Sequence, residues 1–343
     1  MSWVDHLVCW FAEYKRSLPW RESNDAYAVW VSEIMLQQTR IEAVLGYYQR
    51  FMRAFPTVEA LAGAPLERVL KLWEGLGYYS RARNLHKAAQ QIVERGGFPR
   101  TSAELQTLAG IGEYTAGAIA AIAFGEPALA IDGNVMRVVS RLYALEEDVL
   151  LASSRKHVKE LLLQVYPKNR ASDFVQGLME LGELVCIPKT PRCESCPLQT
   201  DCQALARGLQ TRLPLRVPKT KQRLEHRIVC IVQKEGKVLL FQRPQEGLLQ
   251  GLWEYPNVLA TEPKKARSAL KETYGIDLKP LELLGKAEHV YTHIRWQMQF
   301  FRAEAGSDFA AARRPYRWAT REELRQDIML PTAFKKIDWE EWS

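Results

Sequence analysis

Four of the chain's six cysteines are crowded together: Cys186, Cys193, Cys196 and Cys202 form a C-x6-C-x2-C-x5-C run, whereas Cys9 and Cys230 stand alone. Four thiolates at such spacing can close around one metal centre. Tetrahedral zinc and a [4Fe-4S] cluster both suit them, and ligand softness alone does not choose. In a reducing compartment the grouping argues for metal rather than disulfides. Two carboxyl groups carry a different chemistry. Glu33, in Trp30-Val-Ser-Glu-Ile-Met-Leu-Gln-Gln-Thr39, shares a helical flank with Val29 and Leu36. Apolar neighbours desolvate a carboxylate, raise its pKa and keep a proton available, which is the profile of a general acid. The plainer alternative is a surface glutamate at the edge of an amphipathic helix. Asp132, in Ile131-Asp-Gly-Asn-Val-Met-Arg137, stands just before an apolar stripe, where an ordinary helix N-cap is the simple reading. Amides and the helix dipole there would also hold it ionised, as stabilising an oxocarbenium-like cation requires.

Leu108-Ala-Gly-Ile-Gly-Glu-Tyr-Thr-Ala116 places Gly110 and Gly112 between a helix end and an Ala-rich helix. Glycines there let backbone amides approach a phosphate at a helix N-terminus, the grip of a helix-hairpin-helix on DNA. A plain turn between core helices has the same composition. Two carboxyls flanking a scissile bond are the standard solution to glycoside hydrolysis. Beside a DNA grip the glycoside is a nucleotide, and its base must be flipped out of the duplex.

These groups need a scaffold, and 343 residues favour two or more domains. Residues 1 to about 205 read as consecutive helices, with Leu66, Val69, Leu70 and Trp73 on one stripe and Val135, Val138, Val139 and Leu142 on another. Thr115 to Phe124 reads as a fully buried helix. Arg212 to Arg223 is basic, contains proline and lacks period, so it reads as an exposed linker. Beyond it Ile228–Val232, Val238–Phe241 and Trp296–Phe301 have strand character and Ala266–Tyr274 looks helical, making a separate α+β domain. A net charge of +7 and a pI near 9.0 suit an anionic partner such as nucleic acid. No signal peptide and no bilayer-spanning stretch is evident, so a cytoplasmic location without membrane attachment is expected.

Pro19-Trp-Arg21, Ser32–Thr39, Leu72–Tyr79, Arg81–Leu85, the hairpin, Asp132-Gly-Asn134 and the four cysteines together resemble the MutY adenine DNA glycosylases over nearly the whole chain. The resemblance implies a bacterial-type, nucleoid-associated monomer. It would hydrolyse the N-glycosidic bond of adenine mispaired with 8-oxoguanine or guanine in double-stranded DNA, leaving an abasic site. It implies a multidomain fold: an all-α helix-hairpin-helix glycosylase half joined to an α+β Nudix-like domain at 227–343 by a linker at 206–226. The helical half would comprise a six-helix barrel at about 22–115 and an iron-sulfur domain of 1–21 with 116–205. It also selects [4Fe-4S] for the cysteines. Residue by residue, Glu33 is similar to the glutamate that protonates adenine N7, and Asp132 to the aspartate that stabilises or transiently bonds the sugar cation. Tyr114 and Asn134 look like the groups that position them. Trp20, Arg21, Leu36, Ile41 and Gln176 align with the adenine pocket. Gln38, Thr39, Leu76 and Tyr78 align with segments that wedge into the duplex around 8-oxoguanine, and Tyr291-Thr292-His293 stands where the family has a lesion-reading Phe-Ser-His loop.

Three rivals share parts of this pattern. An endonuclease-III-like glycosylase and lyase would carry a Schiff-base lysine where this chain has Tyr114, and would lack the C-terminal domain. A DNA-binding iron-sulfur protein without chemistry would not need Glu33 and Asp132. A Nudix hydrolase would need a run of acids for metal, and Ala269-Leu-Lys-Glu-Thr-Tyr-Gly275 supplies only Glu272.

Overall fold

The computed structural model describes residues 1–217, 222–291, 293–306 and 309–337. Two compact units divide the chain, Met1–Ala64 with Ser80–Pro218, and Pro65–Tyr79 with Lys219–Ser343.

The first unit is helical. Asp25 caps the helix Ala26–Leu36 by accepting from the amides of Tyr27 and Ala28, and every residue from Ala26 to Met35 is buried. The sequence suggested an apolar flank beside Glu33; the helix is instead buried all round, with Ser32 and Glu33 its polar exceptions, the mark of an element at the centre of a core. Helix Glu113–Phe124 is its buried neighbour. It lies close to the chain opposite, because a Cβ on Gly117 would meet the Leu129 carbonyl oxygen at 2.0 Å. Gly110, in the hairpin before it, has φ +72°, and its missing Cβ leaves room for Asn84. Helix Ala171–Leu184 packs on Trp3–Tyr14, on Glu113–Phe124 and on Gly133–Leu142. That arrangement joins the start of the chain to the segment that ends at Cys186.

The 212–223 stretch, expected as an exposed linker, is exposed at Arg212, Arg216 and Val217 but not at Leu213. Leu213 is 2% exposed in a small core with Ala144 and Ala204, and its carbonyl accepts from Arg141. Arg223 already opens a strand, Arg223–Ile231. In the second unit the strand order is Asn257–Leu259, Arg223–Ile231, Ile294–Ala305, Leu278–Val290, the middle two parallel. A second sheet centres on Lys237–Gln242. All three runs read as strands fall at these strands, and the helix Pro263–Tyr274 covers one core through Ala266, Leu270 and Tyr274. Pro65–Tyr79 packs with this unit: Lys335 pairs with Glu74 at 2.6 Å, and Lys71 donates to the Leu324 carbonyl at 3.4 Å. Leu76 and Tyr78 therefore share a unit with Tyr291 and His293. Among the described residues no helix is long and apolar enough to cross a membrane.

Candidate active site

An open cavity of about 1170 Å³ in the first unit collects most of the residues singled out above. Glu33 and Asp132 both line it, as do Tyr114 and Asn134. Trp20, Arg21, Leu36, Ile41 and Gln176 are in its wall, with Gln38 and Thr39 near them and Gly112 capping the hairpin helix. Leu76, Tyr78, Tyr291 and His293 belong to the other unit, and Thr292 lies outside the described residues.

Glu33 is 7% exposed. Burial pushes its pKa up to about 7; Asp132 and Glu183 push the same way, while a hydrogen bond from Tyr114 and the charge of Arg21 pull it down. The Tyr114 hydroxyl donates to Glu33 Oε2 at 2.7 Å and lies 3.3 Å from Met179 Sδ. A carboxyl so placed is partly protonated near neutral pH.

Asp132 is the N-cap of helix Gly133–Leu142. It accepts from the Val135 amide at 2.7 Å and from Asn134 Nδ2 at 2.8 Å. The N-cap that the spacing suggested is thus formed, and its side chain lines the same cavity as Glu33. The amide hydrogen bonds favour its anion as expected, but burial outweighs them and raises its pKa above the ordinary aspartate value. Asn134 is oriented in turn, since Arg137 Nη2 donates to its Oδ1 at 2.7 Å while Arg137 also donates to the carbonyls of Gly182 and Cys186.

Sequence reading missed a charged girdle. Arg16 and Arg21 each hold the buried carboxylate of Glu180 through two nitrogens, at 2.7–2.9 Å and 3.0–3.1 Å. Burial pushes Glu180 up, but the two guanidiniums outweigh it and hold its pKa at about 2. Arg21 Nε then donates to Gln176 Oε1 at 3.0 Å, which fixes that amide in the wall. The available signal was helical: Glu180 lies one turn beyond Gln176, on one face.

Two of the expected wedge residues, Gln38 and Tyr78, have φ of 59° and 49°, a strained region for residues with a Cβ. Tyr78 is 46% exposed, whereas Leu76 is buried at 7% and is not displayed as a wedge. Tyr291 stands at the turn between strands Leu278–Val290 and Ile294–Ala305, edge-on to His289 and Trp296, and its buried hydroxyl has no hydrogen-bond partner among the described residues. His293 is exposed at the same turn.

The four cysteines line one small cavity, with Arg141 donating to Cys186 Sγ at 3.3 Å. Burial pushes the Cys196 thiol up to about 12, and raises Cys193 and Cys202 as well. No group of three or more His, Cys, Asp or Glu side chains that could hold a metal ion is formed among the described residues. Four thiols lining one cavity are a donor set that would suit a metal centre held by four cysteines.

A hairpin beside a cavity with one protonatable and one capped carboxyl defines a DNA glycosylase of the helix-hairpin-helix class. Residues 31–168 match the model of the HhH-GPD superfamily base excision DNA repair protein, and 227–338 match that of the NUDIX domain. The adenine DNA glycosylase of Rattus norvegicus is 38% identical over 97% of this chain and 76% of its own. That of Homo sapiens is 35% identical over 96% and 72%. Among solved structures, a thermostable thymine-DNA glycosylase matches with TM-score 0.54 and 28% identity, covering 60% of this chain and 95% of its own. A non-covalent endonuclease III–DNA complex matches with TM-score 0.51 and 25% identity over the same shares. The chain belongs to the MutY family of adenine DNA glycosylases.

Proposed function

We propose that this chain hydrolyses the N-glycosidic bond of adenine mispaired with 8-oxoguanine or guanine in double-stranded DNA, in base excision repair. The observation that carries the reading is Glu33, a buried carboxyl with a pKa of about 7, hydrogen-bonded by Tyr114 in the same cavity as the N-capped Asp132. The hairpin at Gly110 and Gly112 holds the phosphate backbone, and the flipped adenine enters between Trp20, Leu36 and Ile41, with Arg21 and Gln176 meeting its polar edge. Glu33 delivers a proton to N7, which makes the base a neutral leaving group. As the bond to C1′ breaks, Asp132 faces the growing positive charge on the sugar, and Asn134 and the Val135 amide keep that carboxylate aimed. Water then adds to C1′ and leaves an abasic site.

No lysine lines the cavity among the described residues, which supports a monofunctional enzyme without an imine step. Tyr291 and His293, with Thr292 between them, would read 8-oxoguanine on the opposite strand. The Tyr291 hydroxyl, without a hydrogen-bond partner among the described residues, would serve as donor and acceptor for that purpose. Cys186, Cys193, Cys196 and Cys202 would hold a [4Fe-4S] cluster that staples the segment after helix Ala171–Leu184 and supplies no step of the hydrolysis. One chain provides both carboxyls and the hairpin, so a monomer suffices. Its workplace is chromosomal DNA, the nucleoid in a bacterial cell. The test is single-turnover adenine release from a duplex with adenine opposite 8-oxoguanine, for the wild type, Glu33→Gln and Asp132→Asn. Release by the wild type alone supports both roles; a folded wild type that releases no adenine overturns the reading.

A further inference from the structure

Arg81 is a buried cation, 9% exposed, on the first turn of helix Ser80–Glu94. Its Nη1 donates to three main-chain carbonyls: Ile34 at 2.8 Å, Met35 at 3.0 Å and Gln37 at 2.6 Å. All three lie at the end of the helix that carries Glu33, where carbonyls have no partner inside the helix. A guanidinium there satisfies them and complements the negative end of the helix dipole. Packing alone does not pin this end, because a cavity of about 210 Å³ adjoins it, lined by Trp30, Ile34, Gln37, Ser80 and Asn84 with Arg81. One turn beyond Arg81, Asn84 sits against the hairpin: a Cβ on Gly110 would come within 2.5 Å of Asn84 Cβ. One turn of one helix therefore touches both the end of the Glu33 helix and the phosphate-gripping loop.

We infer that Arg81 is a positioning residue for the general acid, locking the end of the Glu33 helix and coupling it through Asn84 to the seating of the hairpin on DNA. This rests on the proposed role of Glu33. The groups that face Glu33 are Tyr114 of the hairpin helix, Asp132 at the next N-cap, Arg21 of the Pro19–Arg21 turn and Glu183 of helix Ala171–Leu184. Arg81's carbonyl bonds reach Glu33 through the backbone of its own helix. Without the guanidinium the turn from Ile34 to Gln37 loosens into the adjoining cavity, and Glu33 shifts from Tyr114 and gains water.

The experiment measures single-turnover adenine release by Arg81→Met, Arg81→Lys and Glu33→Gln in the full-length protein, from about pH 5 to about pH 9. Unfolding temperature is recorded alongside. Arg81→Met should slow the plateau by about 10- to 100-fold, the effect of a carboxyl misplaced by about an ångström. It should also move the alkaline midpoint to lower pH, because burial raises Glu33 by more than the Tyr114 hydrogen bond lowers it, so the water gained outweighs the bond lost. A lower active fraction alone would scale the curve without moving it. Arg81→Lys, which keeps a cation but not the fork, should recover part of both, and carries the test alone if the methionine variant does not fold. An unmoved midpoint in the folded variants, or a lysine variant no better than methionine, overturns the inference. If Glu33→Gln retains the wild-type rate, the acid assignment itself fails. If Glu33→Gln is inactive and the Arg81 variants match the wild type, only the positioning role falls.

Discussion

Replacing Tyr114 by phenylalanine removes one hydroxyl from the cavity and leaves the ring. That hydroxyl donates to Glu33 Oε2 at 2.7 Å, and the bond favours the ionised carboxylate, restraining a pKa that burial has pushed to about 7. A hydrogen bond to a charged partner contributes about 1.5–3 kcal/mol. At about 1.4 kcal/mol per pKa unit, its loss raises Glu33 by about one to two units. Adenine release follows the protonated fraction of Glu33, so the alkaline limb of the rate profile should move to higher pH by that amount. The plateau should fall about tenfold, because the hydroxyl also sets the direction of the carboxyl. The assay is single-turnover release across the pH range, with alkaline cleavage of the abasic product as readout. An alkaline midpoint that stays in place, or moves down, would refute the claim that Tyr114 acts on the ionised form. A raised midpoint with an unchanged plateau would remove its orienting role and leave the electrostatic one.

The buried acid also leaves a mark on stability. Its folded pKa of about 7 exceeds the ordinary 4.5, so its contribution is fully present below 4.5 and is lost as pH rises through 7. Above that the buried carboxylate costs up to about 3 kcal/mol, so in denaturant unfolding Glu33→Gln should gain on the wild type at pH 8 relative to pH 5; equal differences at both would contradict the burial argument. Glu180→Ala leaves Arg16 and Arg21 without their shared carboxylate and should destabilise by about 3–5 kcal/mol, seen as a lowered unfolding temperature, with weaker substrate binding as Gln176 loses its anchor; a silent variant would make the girdle ornamental. Gly110→Ala forces a Cβ against Asn84 at 2.5 Å and strains a φ of +72°. It should weaken binding to undamaged duplex in proportion across sequences, as a phosphate contact does; a loss confined to mismatched DNA would place Gly110 elsewhere.

What was legible was local. The Asp132 cap, the Val135 stripe and the hairpin glycines depend on neighbours within a turn, and each stands where its spacing put it. The strand runs were legible because β-branched residues in Ile228–Val232, and Val238 and Phe241 at the ends of the next run, favour a strand. The girdle was not, since Arg16 and Glu180 are 164 residues apart and periodicity reports a face without its partner. Leu213 misled because a basic, proline-containing context suggests exposure, while one leucine among it has a core to enter. Leu76 stood in a segment resembling a wedge, and only tertiary packing reveals that its side chain is turned inward.

The two carboxyls of the cavity are both raised by burial, so burial alone cannot divide their roles; hydrogen bonding does. Glu33 accepts from a single hydroxyl, and its pKa of about 7 leaves a proton to give. Asp132 accepts from an amide at a helix N-terminus and from Asn134, both of which favour the anion. The burial that opposes its charge in the resting protein also strengthens that charge once a cation forms beside it. At an effective dielectric of about 20 and a separation of about 4 Å, the attraction is about 4 kcal/mol, against about 1 in water. A difference of about 3 kcal/mol in the barrier corresponds to roughly two orders of magnitude in rate. In the proposed mechanism the unfavourable burial of Asp132 is therefore part of its function: the anion is held where solvent cannot weaken it, and the sugar cation would be the partner that compensates it.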